Sequence, residues 1–257
     1  MSLFDVKVSD LPSKIEYKCL LNAIIEVRFS STKPAEMIVW PLYEALKDQF
    51  KVPEITSIGR VPREVRNNLD LKEQILYTMT SNDRLYTVGV GDGIFQMNLG
   101  NFNYSTWDNF VKQFQIVNDI IQKDINKVTR VGVRYINIFN APDSNVKNFT
   151  FDCKLKNKSL FDYSLQSVFE APIDERIARI SIVNHVKYKY YDGNGVPQIG
   201  GDNALALDID VVYNRDLNND NILDVINYSH LSVKKIFFSM CTEKFKKNVL
   251  KPQKEKN

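Results

Sequence analysis

The sequence predicts an α+β fold: mostly antiparallel sheets with long helices packed on one face, in two halves of similar outline. Three observations lead there. Several runs alternate apolar and polar residues with the period of two that a pleated strand imposes. Short polar turns rather than helical crossovers join most of these runs, which favours antiparallel pairing. Two later stretches carry apolar residues at spacings of three and four, the stripe of an amphipathic helix.

Taken in order, residues 1–16 read as an irregular arm ending near Leu11-Pro12. In LLNAIIEVRFS, Ala23, Ile25, Val27 and Phe29 face one way and Asn22, Ile24, Glu26 and Arg28 the other, a half-buried strand. Ser31, Thr32 and Pro34 open a helix to about residue 50, in which Pro41 predicts a kink or a false start. Pro53, Pro62 and mixed charge predict a short strand and a loop over residues 52–70. Residues 74–80 and 84–90 form a hairpin over Ser81-Asn82-Asp83, and Gly91-Asp92-Gly93 turns into a third strand at 94–99. Ser105, with Asp108 three residues on, is placed to cap a helix whose apolar face is Trp107, Phe110, Val111, Phe114, Val117 and Ile121.

That helix leads into KVTRVGVRYINIFNAP, the most strongly patterned strand of the chain. Val131, Val133, Tyr135 and Phe139 point to one side, Arg130, Arg134 and Ile136 to the other, and Asn140-Ala141-Pro142 stop it. Beyond it, residues 149–154, 164–170, 176–190 and 204–213 are candidate strands, with a glycine-rich loop at 192–202. A terminal helix is expected over about 219–247, with Leu223, Ile226, His230, Val233, Phe237 and Met240 on its stripe. The expected organisation is an N-terminal α+β half (1–145), a C-terminal α+β half (146–247) and a basic flexible tail (248–257). No residue-level repeat relates the halves.

Composition bounds the function class. Hydrophobic residues at 44% and charged residues at 25% are ordinary for a soluble globular chain. A net charge of +3 is too small to imply nucleic-acid binding by itself. Cys19, Cys153 and Cys241 are far apart and odd in number, no CxxC occurs, and there are two histidines. That pattern argues against a zinc site or a disulfide framework and suits a reducing cytoplasm. The first residues, MSLFDVKVSDLPSK, hold acidic groups where a signal peptide needs an apolar run. No run approaches the roughly 20 residues of a spanning helix. A cytoplasmic protein is expected, with no membrane, metal or cofactor.

Glu26, Arg28, Arg134, Asp208 and Asp210 each fall on the non-core face of an expected strand. Brought together, they form either a binding cleft for a charged or planar ligand, with Arg134 as a bidentate donor, or a salt-bridge network on a sheet face. Asp208 and Asp210 could hold a divalent ion, but spacing fixes no third carboxylate. His230 is either a general base or a hydrogen-bonded core residue. Gly89, Gly91 and Gly93 mimic a phosphate loop, yet a strand rather than a helix follows them. Asp216, Asn218 and Asp220 resemble the start of a calcium loop but lack its glycine, and Asn227 stands where the bidentate Glu belongs, so a helix cap explains them better. Between residues 234 and 256, eight lysines face two glutamates. Lys244, Lys246, Lys247 and Lys251 are therefore candidates for a weak, salt-sensitive nucleic-acid contact, although no arginine accompanies them.

LLNAIIEVRFS, YSTWDNFVKQF, VTRVGVRYINIF, ALDIDV and INYSHLSVKKIFFSMCTEKFKK occur in that order over most of the chain. In these markers the sequence resembles a sporadically distributed prokaryotic family of uncharacterised proteins. The resemblance implies mobile-element or defence-type gene neighbourhoods and transfers no catalytic residue. Arg134, Tyr135, Asn137, Asp208, Asp210 and His230 match its pattern without assigned roles, and Cys241-Thr242 departs from its more usual apolar-Thr pair. The resulting expectation is a non-catalytic interaction module that binds another protein, or a second copy, through a sheet edge or the polar face. The alternatives are a ligand- or metal-binding enzyme or sensor using that face, and a weak nucleic-acid binder using the lysines.

Overall fold

A computed structural model describes residues 3–4, 6–69, 71, 73–191, 196–217 and 221–253. In chain order the elements are β1 (Lys14–Ile15), β2 (Leu20–Ser30), α1 (Ala35–Leu46), β3 (Glu54–Ile55), α2 (Arg63–Asn68), β4 (Tyr77–Thr80), β5 (Tyr86–Gly91), β6 (Ile94–Leu99) and α3 (Trp107–Ile121). There follow β7 (Lys127–Phe139), β8 (Lys154–Leu155), β9 (Lys158–Ser159), β10 (Gln166–Ile173), β11 (Arg176–Tyr191), β12 (Pro197–Tyr213), α4 (Ile222–Met240), α5 (Glu243–Phe245) and β13 (Pro252–Gln253). Nine strands make one sheet in the order β10-β11-β12-β7-β2-β6-β5-β4-β3, and β1-β13 and β8-β9 are separate two-stranded pairs. The fold is α+β with mostly antiparallel sheets. Among the described residues, no helix is long and apolar enough to cross a membrane.

Two compact units divide the chain: Met1–Asn22, Arg134–Val212 and Asn227–Asn257 form one, Ala23–Val133 and Tyr213–Ile226 the other. Their connectivity matches. In the second unit a first strand, β2, is followed by the meander β4-β5-β6, whose last strand lies beside β2, and then by α3. In the first, β7 is followed by the meander β10-β11-β12, whose last strand lies beside β7, and then by α4.

In the second unit, Ala23, Ile25 and Val27 are fully buried, as the alternation in β2 predicts. Helix α3 covers the sheet through Phe114, stacked on Phe95 at 5.6 Å, and Phe110, stacked on Tyr86 at 6.5 Å. Its cap is Thr106 rather than Ser105: the Thr106 hydroxyl accepts from the Asn109 amide at 3.3 Å. Helix α1 runs through Pro41, which lies on the exposed side, so the lost bond to the Met37 carbonyl is left to solvent. Its first amide, Ala35, is capped from outside the helix by Asp92 at 2.9 Å. The expected loop around residue 65 is instead the short helix α2. It is held by the buried Arg66, which donates to the carbonyls of Gly59 and Val61 at 3.2 Å and pairs with Asp92 at 3.6 Å. In the β5–β6 turn, Gly93 sits at φ +78°, a conformation that favours glycine.

In the first unit the core is an aromatic cluster. Fully buried Phe139 meets Phe149 at 5.0 Å, Phe245 at 5.7 Å, Phe237 at 6.2 Å and Tyr17 at 6.2 Å. The long terminal helix expected to reach residue 247 ends at Met240, and the expectation of long helices fails: α1, α3 and α4 have 12, 15 and 19 residues. The reason is tertiary. The Thr150 amide bonds the Met240 carbonyl at 2.9 Å and its hydroxyl bonds that of Ser239 at 2.8 Å. Thr242 then caps a new turn by accepting from the Phe245 amide at 3.3 Å. Strand β12 begins at Pro197, so the glycine-rich segment from Pro197 onward is strand, not loop. The Tyr188 ring lies over Gly200, where a side chain would come within 2.5 Å of it. The arm and the segment before residue 254 are tied together, Lys14 opposite Gln253 and Ile15 opposite Pro252. Asn218, Asp220, Gly193, Gly195 and residues 254–257 lie outside the described residues.

Candidate interaction surface

On the polar side of the second unit, Glu26 accepts from Arg28 at 2.9 Å and from Arg130 at 2.6 Å, and Arg28 also pairs with Glu73. These side chains are about a quarter exposed, apart from Glu73. The geometry follows from the strand period: Glu26 and Arg28 are two apart on β2, and Arg130 reaches Glu26 from β7. Arg130 and Glu73 were not singled out from the sequence, because their relation to Glu26 depends on which segments lie side by side.

On the polar side of the first unit, Arg134 grips Asp208 through Nε and Nη2 of its guanidinium, at 2.8 and 2.6 Å. This is the bidentate geometry the arginine was expected to offer, spent here on a carboxylate of the same chain. Cross-strand register extends the row: Asp208 stands opposite Ser181 and Ser181 opposite Val168, while Asp210 stands opposite Arg179 and Arg179 opposite Glu170. Opposite charges thus face each other across three strands, the arrangement that stabilises a sheet.

Asn137 is buried, donating to the Leu207 carbonyl at 3.3 Å and accepting from the Cys19 thiol at 3.7 Å. His230 is also buried, its Nδ1 2.8 Å from the Tyr135 hydroxyl. Burial, with Lys234 one turn on, lowers its pKa to about 3, so the imidazole is neutral at ordinary pH. Burial likewise pushes the Cys241 thiol up to about 12 and the Cys19 thiol higher still, which makes both poor nucleophiles. Among the described residues no group of three His, Cys, Asp or Glu is placed to hold a metal ion. Of the lysine candidates, Lys246 pairs with Glu243 at 2.7 Å and Lys251 with Glu16 at 3.9 Å, while Lys244 and Lys247 are exposed.

The sheet ends differ more than its face suggests. One end is β3, two residues long, a common way of blunting an edge. The other is β10, eight residues long, with Val168 44% and Phe169 36% exposed. Pro172 fixes how β10 is used. It has no N–H, so it must occupy a non-hydrogen-bonded position opposite Ile177. Alternation then assigns Ser167, Phe169 and Ala171 to the ladder with β11 and turns the N–H and C=O of Gln166, Val168 and Glu170 outward. The Asn184 amide bonding the Leu165 carbonyl at 3.2 Å has the same parity. The sequence predicts a strand near here, and a proline within a strand run is itself the mark of an edge. No protein-family model matches the chain, and no protein of curated function matches it at significance.

Proposed function

We propose that the protein is a non-catalytic cytoplasmic interaction module that docks a protein partner by strand addition to the outer edge of β10. It would serve as an accessory component of a mobile-element or defence-type system, as the resemblance in the sequence markers implies. The observation that carries this reading is the outward row of backbone groups on Gln166, Val168 and Glu170, beside exposed Val168 and Phe169, on the terminal strand of the sheet. Strand addition takes affinity from such main-chain groups and specificity from alternate side chains. The charged face supports the reading from the other direction, since the Arg134 guanidinium and the Glu26 carboxylate already engage ion partners of the chain itself.

The test is a native pull-down from source cells with nuclease treatment, comparing the wild type with Val168→Pro. The substitution removes one outward N–H at a position that makes no ladder bond to β11, so the fold should unfold at an unchanged temperature. A stoichiometric protein partner kept by the wild type and lost by the variant is the expected result. Equal retention by both, or recovery of nucleic acid alone, would refute docking at β10.

A further inference from the structure

We infer that the occupant of the β10 edge is a second copy of the same strand, paired antiparallel about a two-fold axis at Val168, so that the sheet continues from one chain into the next. This rests on the edge-docking reading and names its partner.

The parity set by Pro172 limits the choices. In a two-fold antiparallel pair, outward-facing residues must meet outward-facing residues. With the axis at Val168, Val168 meets its own copy and Gln166 meets Glu170 of the second copy in both directions. Each of these pairs can exchange both of its N–H···O bonds, and every outward N–H of Gln166, Val168 and Glu170 is used. Pro172, which has none to offer, falls at the end of the paired segment.

Charge disfavours the axis two residues further on. Moving the axis to Glu170 sets two carboxylates directly opposite each other, which is destabilising. The Val168 axis instead gives each Glu170 a neutral amide that can donate to it, while Arg179 stands opposite Glu170 on the inner side. On the other face of the strand, Phe169 meets Ser167 of the second copy and lies diagonal to the second Phe169, a separation within reach of aromatic side chains. Burying Val168 and Phe169, 44% and 36% exposed in the single chain, supplies the apolar part of the contact. A strand with a charge at its centre, or with its proline there, would not be compatible with its own copy; this one carries Val168 at the centre and Glu170 and Pro172 off it. The contact is isologous and closes at two subunits.

The experiment is sedimentation over a concentration series combined with mild oxidation of single-cysteine variants, in a Cys153→Ser background that removes the partly exposed native thiol. The wild type should pass from monomer to dimer as concentration rises, and Val168→Pro should remain a monomer. Val168→Cys should give a disulfide-linked dimer, since directly opposed Cα atoms of a hydrogen-bonded pair lie about 5.5 Å apart, within disulfide range. Glu170→Cys alone should not cross-link, because the two copies of residue 170 are offset by roughly 14 Å along the strands. Mixed with Gln166→Cys it should. A wild type that stays monomeric overturns the second-copy partner; if Val168→Pro still loses a different chain in the pull-down, edge docking itself survives. A dimer that Val168→Pro leaves intact also overturns the second-copy partner, and it overturns edge docking as well when the pull-down partner is retained by the variant. Cross-linking by Glu170→Cys alone at the rate of Val168→Cys overturns the register.

Discussion

Replacing His230 by Gln should flatten the acid dependence of stability. In the folded chain the imidazole is buried against the Tyr135 hydroxyl with Lys234 nearby, and its pKa falls from 6.5 to about 3. The unfolded chain therefore binds a proton below pH 6.5 that the folded chain refuses. The stability is fully present above that value and is lost as pH falls towards 3. At about pH 5 the unfolded imidazole is some 1.5 units below its own pKa, which at 1.36 kcal/mol per unit amounts to about 2 kcal/mol lost relative to neutral pH. This magnitude requires only that the folded imidazole be neutral at pH 5, so it changes little if the folded pKa is 3 or 4. The assay is urea unfolding at neutral pH and at about pH 5, extrapolated linearly for the wild type and the variant. Carboxylates contribute equally to both and cancel in the difference. Gln can keep a hydrogen bond to Tyr135 without titrating, so the wild type should lose about 2 kcal/mol more than the variant between the two conditions. Equal losses, or a resonance assigned to the His230 imidazole titrating with a midpoint near 6.5, would refute the buried neutral histidine.

The other expectations concern local contacts. Thr106→Ala should destabilise by about 1 kcal/mol through loss of the α3 cap, and Ser105→Ala by less than about 0.5, measured as shifts in the denaturation midpoint. A double-mutant cycle on Arg134 and Asp208 should give a coupling of about 1 kcal/mol or less that shrinks with added salt, since Arg134 is 44% exposed. A coupling several-fold larger would mean that the pair is shielded from solvent in the protein as it exists in solution.

Elements whose burial follows from their own periodicity were legible in the sequence. Strand β7 spans the alternating run, and buried Val131, Val133, Tyr135 and Phe139 are the ones its period assigns inward. The stripe of α3 holds for Phe110, Phe114, Val117 and Ile121. Elements decided by distant partners were not. Nothing between Ser239 and Thr242 stops a helix by propensity alone; Asn148 and Thr150 stop it from about ninety positions earlier in the chain by taking up the carbonyls and the Thr242 amide. Gly200 and Gly201 read as loop residues because the ring that covers them belongs to Tyr188, on the neighbouring strand. Helix α2 was obscured because its buried residue is Arg66, whose charge reads as surface until the carbonyls of Gly59 and Val61 and the carboxylate of Asp92 are placed around it.

The same division separates what the polar face shows from how it is used. Period-two alternation places Glu26, Arg28, Arg134 and Asp208 off the core, but only strand order pairs them. Arg134 meets Asp208 because β7 lies beside β12, and Glu26 meets Arg130 across two strands remote in sequence. Once paired, these charges have little left to offer a charged ligand, because an incoming anion must compete with a bidentate carboxylate for Arg134. Backbone groups at a sheet edge are in the opposite position. Water is the partner they give up, and a strand of matching parity replaces it along the whole row. On β10 that parity is fixed by Pro172, a residue that reads in sequence as a breaker and acts in the sheet as the device that turns Gln166, Val168 and Glu170 outward.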